Sequence, residues 1–166
     1  MPLPMRSARG SRVLCTMQDD AVLYRERFAI RGDDFEHGGE AASAVKRVMR
    51  EFGIDPAVIR RLSIANFEAE MNVIMYAVEG TLDFVVTADE VQVVVDDRGQ
   101  GITDIGLAMQ EGYSTATDEM RARGFGAGMG LPNIKRSTDW FDLRSTPGVG
   151  TTLRYGVRLG TGAEAR

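Results

Sequence analysis

Asp97-Arg98-Gly99-Gln100-Gly101 is the stretch whose reading decides the fold. It ends a valine-rich run (Val91, Val93, Val94, Val95) that reads as a strand. A strand that enters two aspartates and a glycine turn has two readings. In one, the turn is a glycine loop closed by an aspartate, common in α/β proteins. In the other, Asp97 is a buried acceptor for a ring amino group, and Gly99 and Gly101 let the backbone approach a ligand. Spacing to the two glycines selects Asp97 over Asp96. Upstream, a long apolar helix carries Glu68 and Asn72; downstream comes Gly124-Phe125-Gly126-Ala127-Gly128-Met129-Gly130-Leu131. In this order and at these distances the three pieces read as a nucleotide pocket.

Bulk properties bound the rest. The 166 residues suit one domain with its own core, over residues 20–158, and the composition (43% hydrophobic, 27% charged) is that of a globular chain. A net charge of -4 gives no electrostatic case for nucleic acid or an anionic membrane as partner. Cys15 is the single cysteine and His37 the single histidine, which disfavours a Cys/His mechanism or zinc site and fits a reducing, cytoplasmic setting. No apolar run approaches the ~18 residues of a membrane span. Residues 1–19 contain Arg6, Arg9 and Arg12 without a continuous apolar stretch behind them, so they read as a disordered tail rather than a leader, with Met17 as a second possible start. Residues 159–166 read as a second tail.

Along the chain, Val22 to Arg31 reads as an edge strand, and Glu40 to Phe52 as an amphipathic helix stopped by Gly53. Asp55-Pro56 is a helix start, an acceptor at the N-cap and proline at the first helical position. The spacing of apolar residues carries that helix to Glu79, with Gly80 as its stop. Thr81–Thr87 and Val91–Asp97 form a hairpin, with Leu82, Phe84 and Val86 on one face of the first strand. About thirty mostly irregular residues from Gly99 to Gly130 hold one short helix near Asp104–Gln110; so long a loop in a small domain is normally functional. Pro132 begins a last helix, and Trp140–Ser145 with Thr151–Val157 make a closing hairpin. The order predicts an α/β two-layer sandwich, a mixed β-sheet covered by helices on one face.

Glu68 and Asn72 lie one helical turn apart on the same face. Taken alone, such a pair is most often a solvated stripe. Its apolar neighbours Phe67, Met71, Ile74 and Met75 place it at the border of the buried face, where a carboxylate needs a partner or a task. A carboxylate beside an amide oxygen can hold a hydrated magnesium ion, or take a proton from a hydroxyl or water. Glu70, two positions on, reads as surface. Gly124, Gly126, Gly128 and Gly130 alternate strictly and then open a helix, whose unpaired N–H groups and positive dipole end suit phosphates. The pattern is neither a P-loop nor a Rossmann fingerprint. Lys135 and Arg136 either reach those phosphates or form the wet face of the helix.

These boxes resemble the N, G1 and G2 motifs of the GHKL ATPase superfamily: Glu68-Ala69-Glu70-Met71-Asn72, Asp97-Arg98-Gly99-Gln100-Gly101-Ile102 and Gly124 to Gly130, with Gly150-Thr151-Thr152 where the family has a Gly-Thr in a closing hairpin. Within it the chain is similar to the small single-domain branch of anti-sigma factors and switch serine kinases. Tyr76, four after Asn72, and the runs Leu107–Thr115 and Gly126–Pro132 sharpen that likeness. The resemblance implies a Bergerat-type fold with ATP and Mg2+ as cofactors. It makes Glu68 the general base, Asn72 the magnesium ligand and Asp97 the partner of the adenine amino group. Gly99 and Gly101 would line the base, the run Gly124, Phe125, Gly126, Ala127, Gly128, Met129, Gly130 and Leu131 would wrap the phosphates, and Thr151 would sit near the adenine. Ser114 to Arg123 would be the lid, longer and more charged than in compact switch kinases.

Two functions follow from the resemblance. One is a serine/threonine protein kinase that phosphorylates a small anti-sigma-antagonist-type partner. The other is a non-catalytic ATP-dependent module that sequesters a sigma factor or another regulator. Glu68 favours the first, since a pure binder has little need of a base. A hydrolase of the gyrase B or MutL kind would need a large transducer domain. The edge strand Val22–Arg31 offers itself to a second copy, as in a homodimer.

Overall fold

The computed structural model describes residues 21–160. The tail read over residues 1–19, with Cys15 and Met17, lies outside the described residues, as do residues 161–166 of the second tail. In chain order the elements are β1 (Tyr24–Arg31), a 3-10 turn (Phe35–His37), α1 (Glu40–Glu51), α2 (Pro56–Tyr76), β2 (Ala77–Val86), β3 (Glu90–Gly99), α3 (Ile105–Ala108), α4 (Asp118–Ala122), α5 (Gly130–Ser137), β4 (Trp140–Thr146) and β5 (Gly150–Arg158).

The five strands form one sheet in the order β1-β2-β3-β5-β4. Every neighbouring pair is antiparallel, so the expected mixed sheet is corrected within the predicted two-layer α/β sandwich. The reason lies in the connections: α1 and α2 between β1 and β2 return the chain in the opposite direction, and β2–β3 and β4–β5 are hairpins. β1 is an edge strand, as its charged residues suggested.

Alternation decides which face is wet. Leu82, Phe84 and Val86 of β2, Val91, Val93 and Val95 of β3, and Leu153, Tyr155 and Val157 of β5 are buried, while Thr81, Asp83 and Arg154 point the other way. Against the buried face lie Val45, Val48 and Met49 of α1, Leu62, Ala65, Ala69, Val73 and Ile74 of α2, and Ile134 of α5. Each fully buried aliphatic side chain contributes roughly 1.5–3 kcal/mol of transfer free energy. One polar pair sits inside: the Tyr155 hydroxyl donates to Oδ1 of Asn66 at 2.8 Å, and burial pushes the Tyr155 phenol well above its ordinary range.

Two expectations about α2 are corrected. The helix ends at Tyr76 rather than Glu79, and Val78 is exposed in β2. Pairing decides this: Glu79 and Gly80 face Arg31 and Ile30 of β1, and Gly80 also faces Asp97 of β3, so strand hydrogen bonds replace a last helical turn. Gly80 is therefore a close-approach glycine, since a Cβ there would lie 2.9 Å from Val73 Cγ1 and from the Asp96 carbonyl.

Glu70 is the second correction. It is only 3% exposed. Its carboxylate accepts from the backbone N–H groups of Gly39 (3.1 Å), Ala41 (3.1 Å) and Ala42 (2.8 Å). The N-cap of α1 is Gly39, at φ +93°, which has no side chain to satisfy the orphan amides of the first turn. Glu70 supplies that acceptor from α2, with its negative charge at the positive end of the α1 dipole.

Candidate functional site

A cavity of about 730 Å³ opens between α2, the end of β3, the segment from Gly101 to Leu131, and the β4–β5 hairpin. That volume is in the range of small-ligand pockets. Glu68, Asn72, Asp97, Gly101 and Thr151 all line it, together with every residue from Gly124 to Leu131. The residues that the sequence scattered over 84 positions thus share one wall-to-wall site. Gly99 is the exception: it is not among the lining residues. A Cβ there would lie 2.7 Å from Ala77 Cα and 2.8 Å from the Tyr76 carbonyl, so it packs β3 against the end of α2 instead of lining a base.

At one end of the cavity Asp97 is held half-buried beside the β4–β5 turn. Its Oδ1 accepts from the Thr151 backbone N–H at 3.2 Å. Burial raises the Asp97 carboxyl above the usual carboxylate range, an effect that the Thr151 N–H opposes and the neighbouring Asp96 charge reinforces. Its other oxygen, Oδ2, accepts no bond among the described residues and can take a donor. The hairpin is tied to the loop by Ile102 N–H to Ser145 Oγ (2.8 Å) and Gly148 N–H to the Gln100 carbonyl (2.8 Å), and Ser145 Oγ also bonds Thr151 Oγ1 across the hairpin (2.8 Å). Gly150 and Gly101 permit this contact, since a Cβ on either would lie about 2 Å from a backbone oxygen, 2.0 Å from that of Asp97 and 2.3 Å from that of Thr146. Met75, Val95, Ile102, Leu107, Leu143 and Leu153 add apolar walls. A carboxylate set among apolar walls suits a flat ring that carries an amino donor.

At the other end, Glu68 and Asn72 face the start of α5. Asn133 Nδ2 donates to Glu68 Oε1 at 2.8 Å, which leaves Oε2 free toward Gly130. A Cβ on Gly130 would sit 3.3 Å from Glu68 Oε2 and 3.4 Å from Asn72 Oδ1. The Asn72 amide has no hydrogen-bond partner among the described residues. Asn133 is itself held: Arg136 Nη2 donates to its Oδ1 at 2.7 Å, and Arg136 Nη1 meets Glu111 at 2.5 Å. Asn133, which the sequence did not mark, is the residue that holds Glu68. Its only signal was position, three residues into the helix that the glycine run opens. Arg136 and Lys135 are exposed and outside the cavity, so the wet-face alternative holds for them.

Between the two ends runs the glycine segment. Gly124, Gly126 and Gly128 all have positive φ (+88°, +85° and +76°), which side chains rarely adopt. Gly128 is pinned to the root of the lid: the Gly112 N–H donates to its carbonyl at 2.9 Å, and a Cβ on Gly128 would lie 2.5 Å from Gly112. The lid holds a short helix, α4, that the sequence left irregular. Thr117 Oγ1 caps it by accepting from the Met120 N–H (3.3 Å), and Arg123 pairs with Glu119 (3.0 Å). Its far end is anchored: Arg123 lies 4.7 Å over the Phe35 ring, and Phe125 packs on Phe35 at 5.8 Å. Asp118 and Arg121 of the lid are exposed to water.

Among the described residues no group of three or more His, Cys, Asp or Glu could hold a metal ion. The donors at hand for a hard cation are the Asn72 amide oxygen and Glu68 Oε2, which suits an ion that keeps most of its waters. No helix among the described residues is long and apolar enough to cross a membrane.

Residues 33–156 match the family described as "Histidine kinase-like ATPase domain". The chain is 32% identical over 113 residues to the serine/threonine-protein kinase RsbT of Bacillus subtilis, an alignment covering 66% of this chain and 79% of that one. It is 30% identical over 115 residues to an anti-sigma F factor of Thermoanaerobacter sp., covering 65% and 77%. Among solved structures, the SiaB–SiaC complex from Pseudomonas aeruginosa contains a chain with the same fold, at TM-score 0.54 and 14% identity over 83% of this chain and 90% of that one.

Proposed function

Since the chain belongs to the histidine kinase-like ATPase domain family, we propose that it is an ATP-dependent serine/threonine protein kinase acting on a small regulatory partner protein. The observation that carries this reading is Glu68. Its Oε2 is free at the mouth of the glycine loop while Oε1 is fixed by Asn133, so it is an oriented base rather than a solvated stripe.

In this reading the adenine amino group donates to Asp97, and the apolar walls hold the ring. The triphosphate runs along the glycine segment to the N-terminus of α5, where backbone N–H groups and the helix dipole meet its charge. Asn72 would hold Mg2+, which supplies charge neutralisation on the phosphates when bound, and Glu68 Oε2 is kept for the proton. A seryl or threonyl oxygen attacks the γ-phosphorus; the bond to the β–γ bridging oxygen breaks, ADP leaves, and the hydroxyl proton passes to Glu68. The added charge on the partner then makes or breaks a complex. The lid between Ser114 and Arg123 keeps water from competing with that hydroxyl. A cytoplasmic setting and an anti-sigma role fit the relatives named above. A homodimer through β1 is a separate part of the proposal, resting on the open edge of that strand.

The test is γ-labelled ATP added to an extract of the native cells with purified protein. A labelled serine or threonine on a small protein is expected, with loss of about a hundredfold or more for Glu68→Gln. ATP binding without transfer by the wild type leaves the second reading, an ATP-gated module that sequesters its partner. Equal transfer by Glu68→Gln removes Glu68 as the base.

A further inference from the structure

We propose that the furrow between α1 and α2 is the docking groove for the partner's acceptor segment, and that it selects an acidic, extended stretch of chain around the serine or threonine. The proposal rests on the kinase reading above and names what that reading leaves open, the chemistry of the partner.

The furrow is a second concavity, about 900 Å³, on the outer side of the two helices. Its α2 wall is one helical stripe: Pro56, Arg60, Ile64 and then Phe67 and Glu68, at spacings of three and four. Continued by one turn, the stripe reaches Asn72. The furrow and the nucleotide cavity share Phe67 and Glu68, so a chain lying in the first presents its end to the proposed base in the second. From Pro56 to Glu68 the wall is about 18 Å long, at ~1.5 Å per residue. That accommodates five or six extended residues at about 3.3 Å each.

Charge and apolar exposure specify the occupant. Lys46 and Arg50, one turn apart on α1, face Arg60 on α2. None of the three has a carboxylate partner within 4 Å among the described residues, although the chain as a whole is acidic. Glu68 is the sole acid of the furrow and stands at its inner end. Ile64 is 45% exposed and Phe67 41%, and both belong to a helix whose other apolar residues are mostly covered. A nucleic-acid strand would use the cations and leave the aliphatic step of Ile64 uncovered. A peptide with acidic residues and one apolar side chain covers both. The gradient from three cations to one carboxylate also sets polarity: acidic positions lie away from Glu68, and the neutral hydroxyl residue lies against it.

The experiment uses the full chain with a non-hydrolysable ATP analogue and Mg2+, and two fluorescent serine peptides of one length that share a leucine. One is flanked by Asp and Glu, the other by Lys. Fluorescence anisotropy at low salt is expected to show at least tenfold tighter binding of the acidic peptide. That preference should disappear in Lys46→Glu/Arg50→Glu/Arg60→Glu and shrink in the milder Lys46→Gln/Arg50→Gln/Arg60→Gln, with nucleotide affinity unchanged in both. Equal affinity for the two peptides, or a preference that survives both variants, overturns the proposal. Label transfer from ATP, measured on the same peptides, separates the two readings. Acidic-selective binding without transfer sinks the kinase and keeps the groove. Equal transfer to both peptides keeps the kinase and sinks the groove.

Discussion

Asp97 and Asn133 carry opposite lessons at the scale of single residues. The place of Asp97 in the cavity was legible in the sequence, because a strand end, an aspartate and a glycine turn follow one another. Its environment was not, since half-burial depends on the β4–β5 turn more than forty residues away. Burial raises its proton affinity in the folded state above that of the unfolded chain. The folded state therefore binds this proton more tightly, so the group's contribution to stability falls as pH rises from the unfolded value through the folded one, and stays unfavourable above it. Asp97→Asn should accordingly raise Tm of the nucleotide-free protein at neutral pH, most visibly in a pH series of thermal melts, while weakening ATP binding about tenfold or more through loss of a charged acceptor. A lower Tm at neutral pH would contradict the assignment of burial as the dominant cause. Asn133 was illegible because its partner Glu68 is 65 positions away. In the kinase reading it would orient Glu68 without touching ATP, so Asn133→Ala is expected to lower kcat about tenfold, ~1.4 kcal/mol of barrier, with the ATP Kd within twofold of wild type. A matching loss in nucleotide affinity would show that it serves the phosphates instead.

Helices and strands were read where periodicity was strong, and misread where a neighbour overruled it. α1, the β2–β3 hairpin and the closing hairpin stand where alternation and turn residues put them. The end of α2 does not, because Val78 and Glu79 continue a helical pattern on paper while β1 and β3 capture that backbone in the sheet. Glu70 shows the same limit. At 100° per residue it stands about 200° around α2 from Glu68, which excludes it from the nucleotide site as the sequence implied. The far side of the helix, however, faces α1 rather than water, and only the tertiary structure shows that. Glu70→Ala removes three bonds to a charged acceptor and orphans the first turn of α1; it should cost about 3 kcal/mol in urea denaturation at unchanged m-value. A change under about 0.5 kcal/mol would mean that water replaces the carboxylate. The lid makes a separate prediction. Phe35→Ala removes the ring on which Arg123 and Phe125 rest. Faster amide exchange confined to residues 114–125 is expected, with ADP release accelerated severalfold; unchanged exchange there would show that the anchor holds nothing.

Across the whole molecule, one sheet and three packed helices bring residues from 68 to 151 around one cavity, and the sequence order of the boxes foreshadowed that convergence. Strand direction was not foreshadowed, because alternation fixes which face is buried and says nothing of polarity; the sheet is antiparallel throughout. Gly99 was assigned to the ligand by its place beside Asp97, yet the geometry spends it on packing β3 against α2. Asp97 stands at one end of the cavity and Glu68, Asn72 and the start of α5 at the other, and the proposed function makes these the base end and the phosphate end of one axis. The measurement that tests this axis most directly is a crystal structure of the full chain with a non-hydrolysable ATP analogue and Mg2+. The account predicts the adenine amino group within hydrogen-bond reach of Asp97 and the γ-phosphate between the Gly130 amide and Asn72, with Glu68 Oε2 facing an open approach. A nucleotide bound in the reverse orientation, or outside the cavity, would contradict it.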